Sequence, residues 1–396
     1  MDERPTRSMT EGIVLSVLVL SVGSFTIIGA SANAPLISIA LHLTPVGVGA
    51  IASVAYLGAL VTSRIAGHWT DRSGPATVIV VGLLALALGN AVAGLAWHAA
   101  IFYVGIAIAG LGYGSVNPAT TVLSNPATAR RRGLVMSIKQ SGVPLGGIIA
   151  GAVLPAVALE WGWRWAFAVS MAACLPLAAF IAIRRGYRAQ PPDHSAPVHL
   201  AARQLRLPLG YLFGLLIAGV QVSVFAFTAV YLVDVRGFST SSAGLGVSVL
   251  LIGGVVGRLF WGWLSDLFPR QRLLVLQGIG ILGAALLTCL IVVPDSLVMA
   301  TLVALGVCSV GWNGVYIAVV AESTELHRVG ASTGASLALI NLGAISFPLL
   351  VGFLIHLTSS WVVGLLTLAG LSLGATVVAV VSSESTASLV GPDGDR

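Results

Sequence analysis

Twelve apolar stretches dominate this sequence and constrain its fold more than any other feature. A helix needs about 20 apolar residues to cross the hydrocarbon core of a bilayer, where it satisfies its own backbone hydrogen bonds. We therefore predict an all-α polytopic membrane protein with twelve transmembrane helices. The stretches lie at 12–33, 46–66, 76–97, 99–124, 134–158, 163–183, 209–233, 241–264, 273–294, 297–321, 330–355 and 360–382.

The composition excludes an ordinary soluble domain and several functions. Of 396 residues, 57% are hydrophobic and only 9% are charged, whereas soluble domains carry about 25% charged residues. Cys174, Cys289 and Cys308 lie inside apolar stretches without ligand-like spacing, so we expect no disulfide, metal or cofactor. The pI is about 9.6, but most basic residues lie between the apolar stretches, which is typical of membrane orientation rather than nucleic-acid binding.

An internal repeat divides the chain into two halves. The segment from Gly67 to Asp71 matches the segment from Gly262 to Asp266, and further matches occur at offsets of 197 to 199 residues. Loss of the first stretch as a signal peptide would break this repeat, so we expect it to be retained. Two six-helix repeats are expected to enclose a site at their interface near mid-membrane. The predicted parts are a bundle at 1–183, a basic cytoplasmic linker at 184–208, and a second bundle with a short tail at 209–396.

The distribution of basic residues predicts the orientation. With both termini in the cytoplasm, 17 of the 20 basic residues lie in cytoplasmic segments or toward the cytoplasmic ends of helices. The exceptions are Lys139, Arg164 and Arg236. Because positive charge is retained on the cytoplasmic side, we predict a multi-pass protein of the cell membrane, specifically a bacterial inner membrane.

A short polar segment from Gly67 to Gly74 separates the second and third predicted helices, and we expect it to form a cytoplasmic loop. The first glycine would permit close helix packing, and the last would permit a tight turn. Asp71 would act on a helix N-terminus or an arginine cluster. Ordinary turn chemistry would explain the same residues.

This segment, the twelve predicted helices, the two halves and the basic linker occur together in the major facilitator superfamily. The chain therefore resembles that family over essentially its whole length. In that family the loop pattern Gly-x-x-x-Asp-Arg/Lys-x-Gly closes the cytoplasmic side. Pro75 and Ala76 stand where the family usually has basic residues, and Leu267 replaces the basic residue of the second copy. The resemblance implies that Asp71 forms an ion pair with one of the three arginines from Arg130 to Arg132. It also implies that Asp266 pairs with Arg328. The implied gating residues are Gly67, Asp71, Arg72, Gly74, Arg131, Gly262, Asp266 and Arg328.

Lys139 is the only lysine in the chain and lies inside the fifth predicted helix. A charge in the hydrocarbon region costs about 2.5 to 3.5 kcal/mol on insertion scales and usually faces a cavity or a partner. None of the 14 carboxylates lies well inside a predicted span, so no counter-ion is evident. Lys139 either faces the cavity, where a substrate anion would neutralise it, or snorkels to the cytoplasmic surface.

Other candidate substrate contacts are polar or aromatic residues on helices that line the pathway in the resembled family. Tyr113 with Asn117, and Trp312 with Tyr316, share helix faces at a spacing of four residues. Helix-to-helix hydrogen bonding would explain each residue singly. The predicted substrate-binding set is Lys139, Gln140, Tyr113, Asn117, Gln221, Trp312, Asn313, Tyr316 and Asn341.

We therefore predict a secondary active transporter that moves a small organic anion, such as a carboxylate, by alternating access. Because a negative-inside potential opposes anion uptake by about 2.3 kcal/mol per 100 mV, we expect protons as the coupling ion. One chain can supply the whole pathway, so we expect a monomer.

Proton-coupled drug or metabolite efflux is the main alternative. Drug antiporters of the resembled family carry Gly-Pro-x-x-Gly-Gly in helix 5, and here Gly147 and Ala150 replace the proline and one glycine. A membrane-embedded enzyme or a sensor is more distant. An enzyme should show a convergent site such as a metal-binding or serine-nucleophile motif, and we expect none.

Overall fold

A computed structural model describes residues 4–124, 138–184, 210–268, 271–322 and 329–389. These residues form helices joined by short turns, and twelve helical segments are long and apolar enough to cross a membrane. The predicted fold class is therefore confirmed.

The first six predicted spans correspond to seven helices, because the first span continues into a short extra helix. These helices are α1 (Arg4–Ala32), α2 (Ala34–Leu41), α3 (Pro45–Ser73), α4 (Pro75–Gly94), α5 (Ala99–Leu123), α6 (Gly142–Trp161) and α7 (Trp163–Ile183). Residues 138–140 are also helical and lead into α6.

The last six spans likewise correspond to seven helices, because one span is interrupted. They are α8 (Gly210–Asp234), α9 (Thr240–Leu267), α10 (Arg272–Val292), α11 (Asp295–Ser309), α12 (Asn313–Glu322), α13 (Val329–Thr358) and α14 (Trp361–Leu389). The chain forms two compact units. Unit 1 contains residues 1–195 and 225–248, and unit 2 contains residues 196–224 and 249–396.

Glycines allow the backbones of α3 and α5 to approach closely in unit 1. A Cβ atom on Gly110 would overlap the Ala55 carbonyl oxygen and lie 2.9 Å from the Ala55 Cα atom. The same arrangement joins α9 and α11 in unit 2, where a Cβ atom on Gly257 would lie 2.7 Å from the Val307 Cα atom. Close backbone approach at small residues is how membrane helices gain packing energy when both lipid and protein are apolar.

Replacing Gly110 with alanine is expected to destabilise the protein by about 1 to 3 kcal/mol, because overpacking forces the backbones apart. Thermal unfolding in detergent should therefore begin at a lower temperature. Gly67→Ala is the matched control, since no atom lies within 4 Å of a Cβ added there. Equal melting temperatures for the two variants would contradict the requirement for glycine at the contact between α3 and α5.

The structure corrects the predicted boundaries of two spans. The first span continues beyond residue 33 through a turn at Asn33 into α2, which has Pro35 in its first turn. The predicted span at 297–321 is broken, because residues 310–312 form a turn between α11 and α12. At that turn, Gly311 packs so closely against α9 that an added Cβ atom would lie 2.9 Å from the Gly257 Cα atom. Uniformly apolar composition does not reveal such a local interruption.

The segment from Gly67 to Gly74 is not a loop, so this prediction was wrong. Residues 67–73 form the last two turns of α3, and α4 begins at Pro75. Gly74 makes the whole connection with a φ angle of +82°, which glycine adopts without strain. Proline is well suited to the first turn of the next helix. The counterpart from Gly262 to Asp266 is likewise helical, within α9.

Candidate functional site

Lys139 contacts α5 through its side-chain ammonium group. The Nζ atom donates hydrogen bonds to the backbone oxygen of Asn117 at 3.1 Å, to Asn117 Oδ1 at 2.9 Å and to Thr121 Oγ1 at 2.5 Å. Asn117 and Thr121 are one turn apart, so both face Lys139 from the same side of α5. Because an ammonium has three N–H donors, this arrangement uses all of them.

Lys139 is 0% exposed, so its side chain does not extend to the protein surface. Within the described ranges, no carboxylate lies within ion-pair distance of it. Among the described residues, the acceptors of its three hydrogen bonds are all neutral oxygens. Burying a charge under such conditions is costly unless an anion compensates it.

The equivalent position in the second half makes an equivalent contact without the charge. By the repeat offsets, Ser336 corresponds to Lys139 and Tyr316 corresponds to Asn117. The Tyr316 hydroxyl lies 2.8 Å from Ser336 Oγ. In each half, a polar contact therefore joins the fourth span to the fifth. Only the first half has a cation in that contact.

Three of the predicted residues in the second half meet at the break between α11 and α12. Trp312 Nε1 donates to Gln221 Oε1 at 2.7 Å, and Asn313 Nδ2 lies 3.5 Å from the same oxygen. Trp312 and Tyr316 are each 1% exposed, and their ring centroids are 5.4 Å apart. Both aromatic residues therefore belong to the core of unit 2, whereas Gln221 and Asn313 are partly exposed.

Arg258 is a candidate that the sequence reasoning used only for orientation. Its Nε atom lies 3.5 Å from the Val310 carbonyl oxygen, at the broken end of α11. An arginine can satisfy a carbonyl that lost its helical partner. Discontinuous helices with such polar ends form substrate sites in other transporter folds. Arg258 can contact the Val310 carbonyl because α11 ends there. Hydropathy does not predict that the helix ends at this point, so the sequence did not indicate the contact.

The remaining predicted contacts are dispersed. The Tyr113 ring packs against α1, since a Cβ atom added at Gly23 would lie 3.0 Å from Tyr113 Cδ2. Gln140 adjoins Lys139 and is partly exposed. Asn341 Nδ2 donates to the Leu337 carbonyl of its own helix at 3.0 Å.

The predicted gating residues are described only in part. Asp71 and Arg72 are exposed near the end of α3, and Arg131 and Arg328 lie outside the described residues. Asp266 has an ion-pair partner that was not predicted, because Arg272 at the start of α10 lies 3.3 Å from it. The Asp266 side chain is 78% exposed, so solvent screens this pair.

Close packing does not explain the first glycine of either gating segment in this structure. A Cβ atom added at Gly67 or at Gly262 would find no atom within 4 Å. The expected role of these glycines in helix packing is therefore not seen here.

The expectation that the chain carries no serine-nucleophile motif was wrong. Residues Gly330 to Gly334 spell Gly-x-Ser-x-Gly, the pattern of a serine-hydrolase nucleophile. They lie inside α13, whereas that pattern works at a sharp turn from a strand to a helix. No group of three or more metal-ligating side chains occurs in the part of the chain that the structure describes.

Comparisons with known proteins place this architecture in a family. The model for the Major Facilitator Superfamily matches residues 14–315 and 211–394. The gentisate transporter of Corynebacterium glutamicum is 27% identical over 79% of this chain and 74% of its own length. The hexuronate transporter of Bacillus subtilis is 26% identical over 88% of this chain and 89% of its own.

A solved structure agrees at the level of the fold. The inward-facing, unoccupied structure of a bacterial homologue of the human lysosomal transporter Spinster matches with a TM-score of 0.76. The match covers 97% of this chain and 96% of that chain at 15% identity. With twelve candidate spans and a family model that covers most of its length, the chain belongs to the Major Facilitator Superfamily and is a secondary transporter of small molecules rather than an enzyme.

Proposed function

We propose that this transporter moves a small organic anion, most simply a carboxylate. The observation that carries the proposal is Lys139, the only lysine of the chain, buried and bonded to neutral oxygens. A carboxylate that reached this ammonium would supply the missing negative charge. Charge-assisted hydrogen bonds are about twice as strong as neutral ones.

The printed activities of two relatives support the same substrate class. Gentisate and hexuronates are both carboxylates, and the relatives named for them match most of this chain. Their substrates differ in ring chemistry and share the anionic group. The shared group is the part that a lysine would recognise.

We propose that the six-helix halves, residues 1–183 and 209–396, alternate around the substrate. In this scheme the second half contributes Gln221, Asn313 and Arg258, which meet at or near the helix break. Asp71 and Asp266 act at the gate, with both termini in the cytoplasm as the basic residues predict. Protons are the proposed coupling ion, because they offset the charge that enters with the anion.

Transport by purified protein in proteoliposomes tests this proposal. With an inward proton gradient, we expect uptake of radiolabelled gentisate, benzoate or glucuronate above empty vesicles. Glucose, a neutral sugar, and tetraphenylphosphonium, a lipophilic cation, are the control substrates. Transport of the cation without any carboxylate would replace the proposal with drug efflux. A proton ionophore should abolish the gradient-driven uptake if protons are coupled.

A further inference from the structure

We infer that Asn117 and Thr121 are positioning residues that cage the Lys139 ammonium and compete with the substrate for it. The inference rests on the proposed function for the identity of the competitor. The cage itself is a property of the protein alone. It assigns a role to Thr121, which the sequence pattern did not indicate.

The geometry of the cage leaves no donor available. Each of the three ammonium hydrogens has an acceptor on α5. Thr121 Oγ1 also donates to the Asn117 backbone oxygen at 2.9 Å, which orients its lone pairs toward Lys139. Because the lysine is 0% exposed, an anion can reach it only after at least one of these bonds breaks.

The cage therefore sets the resting state of the cation. Without substrate, Asn117 and Thr121 of α5 solvate the charge. The same hydrogen bonds connect the helical segment at 138–140 to α5. With substrate, the carboxylate replaces Thr121 or Asn117 as acceptor and releases that connection. Removing one hydrogen bond of the cage should therefore raise the affinity for the substrate. If these bonds only held the binding site in shape, their removal would lower the affinity instead.

Amine labelling tests the cage without any substrate. Lys139 is the only lysine, so an N-hydroxysuccinimide ester can react only there and at the N-terminal amino group, which serves as an internal reference. Peptide mass spectrometry gives both rates. In the wild type we expect Lys139 to react at least about tenfold more slowly than the N-terminus, since hydrogen bonds to a charged group are strong and the amine is buried. Equal rates would overturn the cage.

Variants separate the cage from general packing. Thr121→Val should raise the Lys139 labelling rate about tenfold, and Thr121→Ser, which keeps the hydroxyl, should leave it near the wild-type value. Ser115→Ala is the control on the same helix, because the Ser115 hydroxyl donates to the Gly112 carbonyl, which is not an acceptor of the Lys139 ammonium. An unchanged rate in Thr121→Val, or an equal rise in Ser115→Ala, would overturn the role of Thr121.

Affinity then tests the competition. For the carboxylate that the wild type transports, Thr121→Val should bind about tenfold more tightly if a hydrogen bond to the ammonium is removed from the competing state. Unchanged or weaker binding would overturn competition. Absence of any carboxylate transport by the wild type would contradict the proposed function instead, and the labelling rates would still decide whether the cage exists.

Discussion

Replacing Lys139 with methionine is expected to reduce carboxylate uptake by at least about a hundredfold, because removing one partner of a buried charge pair costs about 3 to 5 kcal/mol. Methionine is similar in length and apolar, so it should fill the buried site without a charge. Initial uptake rates in proteoliposomes, at matched protein content, measure the effect. The loss should appear at every substrate concentration that leaves the wild type unsaturated.

Two variants make the result specific. Arg184→Gln removes an exposed cation that pairs with Glu11 at 3.4 Å, and it should leave uptake unchanged since exposed pairs contribute little. Lys139→Arg keeps the charge, but its planar fork does not reproduce the three-acceptor geometry, so we expect intermediate uptake. Wild-type uptake by Lys139→Met, in protein that elutes as a single species, would exclude Lys139 as the anion site.

A disulfide between positions 151 and 248 is expected to stop transport. Ser248 Oγ donates to the Ile148 carbonyl at 2.8 Å, and a Cβ atom added at Gly151 would lie 2.6 Å from the same Oγ. Cysteines at 151 and 248 would therefore place their sulfur atoms within bonding reach. If transport requires residues 1–183 and 209–396 to move past each other, this link joins the moving parts and should lower uptake at least about tenfold.

The measurement compares oxidised and reduced protein in the same vesicles. Cys289 is exposed and is first replaced by serine, whereas Cys174 and Cys308 are buried. Oxidation of Gly151→Cys with Ser248→Cys should inhibit uptake, and a reductant should restore it. Each single-cysteine variant should be insensitive to oxidation. Full uptake by the cross-linked protein would show that this contact does not open during transport.

The match between sequence and structure is closest where the signal is repeated along the chain. The hydropathy of about 20 residues is summed in every span, so one or two atypical residues do not obscure it. All twelve spans and the membrane fold class followed from this signal. The repeat makes Lys139 equivalent to Ser336, and in the structure each of these residues forms a polar contact with the preceding span of its own half.

Local deviations escaped the sequence because they depend on a neighbouring helix. The turn at residues 310–312 forms where Gly311 packs against Gly257, 54 positions away in the chain. The pairing of Asp266 with Arg272 depends on how α9 and α10 are joined. The segment at 67–73 is helical since Gly74 alone makes the connection to α4. None of these outcomes changes the average hydropathy.

The sequence by itself determined that the chain has twelve stretches long and apolar enough to cross a membrane, that it carries an internal repeat, and that it has one lysine for which hydrophobicity offers no explanation. Tertiary structure decided what surrounds that lysine. Asn117 and Thr121 lie 22 and 18 positions before Lys139 and contact it because the tertiary structure brings the helical segment at 138–140 beside the end of α5. Hydrogen bonding is a short-range effect, so the partners of a buried charge follow from packing and not from sequence spacing.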